Sequence, residues 1–272
     1  MDIYGKRFIY AGVNSYDYDM ILALTDSDAY RSVRGKDETK SFYSRKSKQL
    51  RYLGTDWDDS PSSFSVELIH SVGVPYSKSQ VRTLERWLFN QSSNKKFYVD
   101  ARDDLNNSTT EEVNGEPKRL YVNCRFTNPT RLLYNGGVVG FSCTMECDCG
   151  WVWQDAITQT HTFTNMSNSV TVSVDSDNPD YTYPRIVLKA GTSGGDITIA
   201  NQLDDSYRLT TLKDVTANDI IVMNSAINYI TEEYYELFPE HNFVRLLSGD
   251  NVLSINGDVA EISITWSNMR YW

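Results

Sequence analysis

After residue 170 the chain never sustains an apolar pattern long enough for a helix. It breaks into short runs at 170–174, 185–189, 197–199, 220–222, 228–230, 243–246, 251–255 and 261–266. Turn residues recur about every 8–12 positions, the spacing of an antiparallel sandwich. The first half reads similarly. Strands are predicted at 8–12 and 20–24, and Phe64, Val66 and Leu68 alternate with Ser65, Glu67 and Ile69 in a half-buried strand. Further strands are expected at 96–100 and 120–126, a turn at Asn135-Gly136-Gly137, and one long strand over 138–153. Residues 101–118 are polar and acidic and read as a loop.

One helix interrupts the strands, over 77–90. Ser77 and Gln80 have the spacing of a capping box, and Tyr76 and Val81 that of a hydrophobic staple. Val81, Leu84 and Leu88 share one face with Trp87 beside them, so the helix is expected to pack on a sheet. The fold class is therefore all-β with one helix.

A chain of 272 residues suits two β-sandwich domains better than one. The stretch 154–168, rich in Thr, Gln, Asn and Ser, is where they would join, giving domains 1–155 and 156–272. The 18 tyrosines fit strands and protein–protein surfaces alike.

The net charge of −10 argues against general nucleic-acid binding, because such a surface repels phosphates. One segment opposes that charge. Arg31, Arg34, Lys36, Lys40, Arg45, Lys46, Lys48 and Arg51 face only Asp37 and Glu38, so residues 31–51 carry +6 and the remainder −16. A solvated loop or hairpin would explain this. So would a contact with an acidic neighbour, including another copy of the chain, and these eight residues are the candidate assembly interface.

Little in the sequence points to catalysis. Cys124, Cys143, Cys147 and Cys149 could supply four zinc ligands, but Cys143, Met145, Cys147, Cys149 and Trp151 share one strand parity. Same-face neighbours on a strand lie about 6–7 Å apart, too far for an easy two-thiolate bite, so the sulfurs are read as core packing. His70 is expected at a strand end, His161 in the polar junction and His241 in a loop, none beside a recognisable nucleophile. Carboxylate pairs are as frequent as chance allows in an acidic chain. No metal, cofactor or catalytic residue is predicted. Residues 1–6 lack the apolar stretch of a secretory signal and no run approaches a membrane span, so cytoplasmic synthesis with reduced thiols is expected.

Several segments, in order, resemble one family. Residues 8–20 (FIYAGVNSYDYDM) look like the opening of the distal tail proteins of long-tailed phages. Trp87-Leu88 followed by Lys96-Phe97-Tyr98-Val99-Asp100 is similar to that family's helix and following strand. Residues 140–147 (GFSCTMEC) resemble the last strand of its first domain. Residues 170–174 with Tyr183-Pro184-Arg185, 218–222, and 243–255 (FVRLLSGDNVLSI) resemble its second, with Gly249 and Asn251 read in a turn between two strands.

The resemblance implies a tail-tube-like first sandwich that closes into a homohexameric ring at the tail tip, and a galectin-like second sandwich outside it. It implies a virion protein whose partners are its own copies, the tail tube protein, a tail-tip hub or tail-associated protein, and receptor-binding or baseplate proteins. DNA would cross the central channel without specific binding, favoured by an acidic lumen. Two other readings are weighed beside it. One is a carbohydrate-binding module contacting host cell-surface glycan, with aromatics such as Trp266 or Trp272 stacking on sugar. The other is a hydrolase of cell-wall sugar.

Overall fold

The computed structural model describes residues 7–24, 38–44, 50–57, 63–99, 110–113, 116–204 and 208–271. The chain forms two compact units, residues 1–154 with 271–272, and residues 155–270.

The first unit holds strands β1 (Phe8–Tyr10), β2 (Val13–Asn14), β3 (Met20–Leu24), β4 (Glu38–Ser44), β5 (Leu50–Trp57) and β6 (Ser63–His70). Helix α1 (Lys78–Phe89) follows, then β7 (Lys95–Val99), β8 (Thr110–Val113), β9 (Glu116–Tyr134), β10 (Gly137–Cys147) and β11 (Trp151–Gln154). The main sheet has the order β2-β1-β7-β9-β10-β6-β3. Its two edges, β2 and β3, are joined by residues 15–19 alone. If flat, seven strands would hold their edges about 29 Å apart, whereas six Cα steps from Asn14 to Met20 reach at most about 21 Å. The sheet must therefore curl until its halves face one another. The link is pinned where Ser15 Oγ accepts from Phe8 N at 2.9 Å and where Asp19 turns at φ 49°.

Helix α1 is capped as its sequence predicts: Ser77 Oγ accepts from Gln80 N, and Gln80 Oε1 accepts from Ser77 N. Val81, Leu84, Trp87 and Leu88 are buried in a core with Phe8, Tyr10, Phe97 and Phe141. The β9–β10 hairpin turns on Asn135 (φ 49°) and Gly136 (φ 78°), the two positive φ values that a two-residue turn of matching twist requires.

The second unit holds β12 (Ile157–Thr162), β13 (Ser167–Val174), β14 (Arg185–Ala190), β15 (Gly195–Asn201), β16 (Leu209–Val215), β17 (Ile220–Asn224), β18 (Tyr229–Ile230), β19 (Gly249–Asn256) and β20 (Val259–Trp266). β21 (Met269–Tyr271) ends the described chain. One sheet runs β12-β20-β14-β17-β18 and the other β13-β19-β15-β16. Alternate residues on both turn inward: Val170, Val172 and Val174, Ile186 and Leu188, Leu253 and Ile255, Ile262 and Ile264.

Several expectations are corrected. Part of the acidic 101–118 stretch is paired: β8 lies antiparallel to the start of β9, so backbone pairing prevails over a loop-like composition. The strand expected over 138–153 breaks at 148–150 into β10 and β11. The polar 154–168 segment contains β12, whose Thr158 and Thr160 hydroxyls meet those of Thr265 and Ser263 on β20 at 2.9 and 2.7 Å. β16 carried no strand prediction. Residues 243–246 form no strand; the bridge Thr182–Leu246, the Asn201 Nδ2 bond to Arg245 O (2.9 Å) and the Arg208 bond to Phe243 O (3.2 Å) hold them.

Gly249 and Asn251 both lie within β19 rather than in a turn between strands. Asn251 is fully buried and its amide nitrogen donates to the carbonyls of Leu247 (2.7 Å) and Gly249 (3.0 Å). Its Oδ1 accepts from Leu247 N (2.9 Å) and Asn201 Nδ2 (2.8 Å). The side chain thus supplies the pairing that the irregular stretch before β19 lacks.

Candidate assembly surface

Two of the eight candidate basic residues fall in described strands. Lys40 lies on β4 opposite Thr55, and Arg51 on β5 opposite Tyr43, in a two-stranded antiparallel pair separate from the main sheet. Arg31, Arg34, Lys36, Arg45, Lys46 and Lys48 lie outside the described residues.

Sequence reading missed a second cationic feature. Beside the C-terminal half of α1, the β1–β2 turn and the start of β7 border an open hollow of about 800 Å³. Its floor includes Trp87, Tyr18 and Val13, and its lining holds Arg86, Lys95 and Lys96 with no carboxylate. Trp87 is fixed there because its Nε1 donates to Tyr10 O at 2.8 Å, while its ring stacks on Phe8 (5.9 Å) and Tyr18 (5.5 Å). Lys96 Nζ lies 3.7 Å from the centre of the Tyr121 ring, a cation–π contact. Arg119 sits 4.7 Å over Tyr98. The helix spacing would have placed Arg86 beside Trp87, but the convergence with β7 depends on tertiary packing.

An apolar end adjoins the β9–β10 turn. Val72, Val74, Leu133 and Tyr134 are each more than half exposed. They are gathered because Tyr76 N donates to Val138 O and Pro75 packs against Gly137. Scattered exposed apolar residues are ordinary; four near one loop pair suit a protein contact.

The second unit presents an acidic turn after β18. Tyr234 and Phe238 point inward, Tyr234 donating its hydroxyl to Asp219 Oδ2 at 2.6 Å. Burial and then that bond push the Tyr234 phenol up from its ordinary value. Glu232, Glu233, Tyr235, Glu236 and Glu240 are left exposed. The four carboxylates have no ion-pair partner among the described residues. Trp266, a candidate for sugar stacking, is 3% exposed and belongs to the core, so it offers no platform; Trp272 lies outside the described residues.

The residues weighed for chemistry have structural places. Cys124, Cys143 and Cys147 are buried with Met145, and Cys124 and Cys147 sit opposite one another on β9 and β10. Burial raises the Cys143 thiol to about 12 and Cys149 to about 11, and pushes Cys124 up as well. Such thiols are neither good nucleophiles nor ready metal ligands. His70 ends β6, its Nδ1 accepting from Val72 N and its ring beside Tyr76. His161 lies on β12, within the polar junction, and His241 packs on Tyr235 and Phe238. Among the described residues no group of His, Cys, Asp and Glu is placed to hold a metal.

The fold is similar to that of the SPP1 Dit protein, described as a paradigm of hub adsorption apparatus in phages infecting Gram-positive hosts. The TM-score is 0.62 at 10% identity, covering 97% of this chain and 98% of that one. A chain of the phage P2 baseplate, in its activated conformation with Ca, aligns with a TM-score of 0.48 at 8% identity over 97% of each chain. No curated protein matches the sequence. The family described as phage tail protein N-terminal domain matches residues 3–149, and its companion, the phage tail C-terminal domain, matches residues 151–266. With nearly its whole length accounted for by these two, the chain belongs to this family of phage tail proteins, and its place is the tail of the virion.

Proposed function

We propose that this tail protein is a non-enzymatic distal tail protein. Six copies close into a ring through the first domain, residues 1–155, and carry the galectin-like second domain, residues 156–272, on the outside. The ring joins the tail tube to the tip hub and leaves a channel for DNA, and baseplate or receptor-binding proteins dock around it. The observation that carries the reading is the likeness to SPP1 Dit over 97% of the chain, across both units in one alignment. Belonging to the tail-protein family and the ordered resemblance along the sequence support it.

The +6 segment at 31–51 serves this ring as a subunit–subunit or tube-facing contact. Electron micrographs of the purified protein should show six-fold rings with a central hole; particles that stay monomeric at micromolar concentration would sink the reading. Reversing Arg45, Lys46 and Lys48 to Glu should impair ring formation while leaving the circular dichroism unchanged. Normal rings from that variant would remove the segment from the interface.

A further inference from the structure

We propose that, in the ring just described and resting on that reading, the acidic turn of one copy seats on the cationic hollow of the next. The hollow beside Trp87 is lined by Arg86, Lys95 and Lys96 and by no carboxylate, in a chain of net charge −10. Arg86 and Lys95 have no ion-pair partner among the described residues. A concave cationic site of this kind lowers its energy by taking carboxylates, and the half-buried Tyr18 in its lining offers an aromatic edge beside them.

The second unit carries such a ligand. Residues 229–240 hold Glu232, Glu233, Glu236 and Glu240 and not one Lys or Arg. Tyr235, 53% exposed, projects among these acids. The turn is preformed, so little ordering is required on docking: Tyr234 N donates to Thr231 O, Tyr235 N to Glu232 O, and the buried Phe238 ring packs edge-on against Phe243 at 4.9 Å. The occupant fits a second copy of this chain because both members of the pair, opposite in sign and each with an aromatic, are present on it. Two different patches meeting head to tail make a heterologous interface, the kind that generates a closed ring when the rotation allows.

Charge exchange tests this on the full chain. Arg86→Glu with Lys95→Glu makes the hollow acidic, and Glu232→Lys, Glu233→Lys and Glu236→Lys make the turn basic. All five residues are wholly or half exposed, and circular dichroism confirms the fold of each variant. The neutral pair Arg86→Gln and Lys95→Gln serves as a milder second probe. In sedimentation velocity at low salt, each reversal should weaken association by about tenfold or more, and the neutral pair by less. The five-fold combination, in which signs are exchanged but still opposite, should recover most of it. High salt should shrink every one of these differences. Reversed variants that assemble like the wild type, or a combination no better than the worse parent, overturn this contact while the ring stands. Wild-type protein that remains monomeric overturns the ring reading itself, and this contact with it.

Discussion

The indole nitrogen of Trp87 donates to the main-chain oxygen of Tyr10 at 2.8 Å, bridging 77 residues of sequence and tying α1 to β1. Replacing Trp87 with Phe keeps an aromatic face toward Phe8 and Tyr18 but removes the donor. The expected loss is about 1–3 kcal/mol. Trp87→Ala, which also empties the space, should lose about 3–5 kcal/mol. Urea denaturation followed by circular dichroism measures both, and a Phe variant with the wild-type midpoint would show that the bond contributes nothing.

Asn251 both donates and accepts inside the second unit, so no similar side chain replaces it. Asn251→Asp keeps acceptors for Leu247 N and Asn201 Nδ2 but turns a carboxylate toward the carbonyls of Leu247 and Gly249. It should cost about 2–4 kcal/mol at neutral pH, at least as much as Asn251→Ala. Protonating the new carboxyl restores a donor, so its deficit should narrow as pH falls toward 4. A deficit that is constant across that range would refute this account of the network.

The buried thiols give the wild type an alkaline limit. Folding holds Cys143 near 12 and Cys149 near 11, above the ordinary value of 9.0. Above pH 9 the unfolded chain releases these protons while the folded chain keeps them. Stability is therefore full below pH 9 and falls as pH rises toward 11–12, by on the order of 1.4 kcal/mol per pH unit for Cys143 and by less for the half-buried, solvent-screened Cys149. Chemical denaturation at pH 8, 9 and 10 reads the slope. Alkylation at pH 8 should modify the half-buried Cys149 before Cys143 or Cys124, as peptide mapping can check; equal rates would contradict the burial.

Two glycines should respond differently to a methyl group. At Gly140 an added Cβ would meet Leu68 O at 2.3 Å and Ile69 Cα at 2.8 Å, forcing β6 and β10 apart. Gly140→Ala should cost about 3 kcal/mol. Gly73, at φ +69°, faces open space. Gly73→Ala pays only backbone strain, about 1 kcal/mol. Thermal melts of the two variants decide whether the close approach or the backbone angle dominates.

Local chemistry made much of this fold readable. The capping box at Ser77 and Gln80, the Asn135-Gly136 turn and the cysteine face of β10 each depend on residues a few positions apart, and each is found where its spacing puts it. What escaped depends on distant partners. β12 and β16 are polar strands whose pairing comes from β20 and β15, and β8 is acidic yet laddered to β9. Trp266 read as a surface aromatic because sequence does not show which side of β20 faces the other sheet. The hollow at Trp87 draws its cations from α1 and β7, and no spacing within either element announces it.

The five-residue link between β2 and β3 also sets an order of events during synthesis. Residues 8–24 are made early, yet β1 must wait for β7 and β3 for β6, and the sheet between them is complete only when β10 reaches residue 147. Until then the apolar faces of Phe8, Tyr10, Met20 and Leu22 have nothing to cover them. Contacts this remote in sequence form slowly and leave apolar strands open to wrong partners. A nascent chain halted short of residue 137 would keep that seam unclosed, so its two early apolar strands would stay open to aggregation for as long as synthesis paused there.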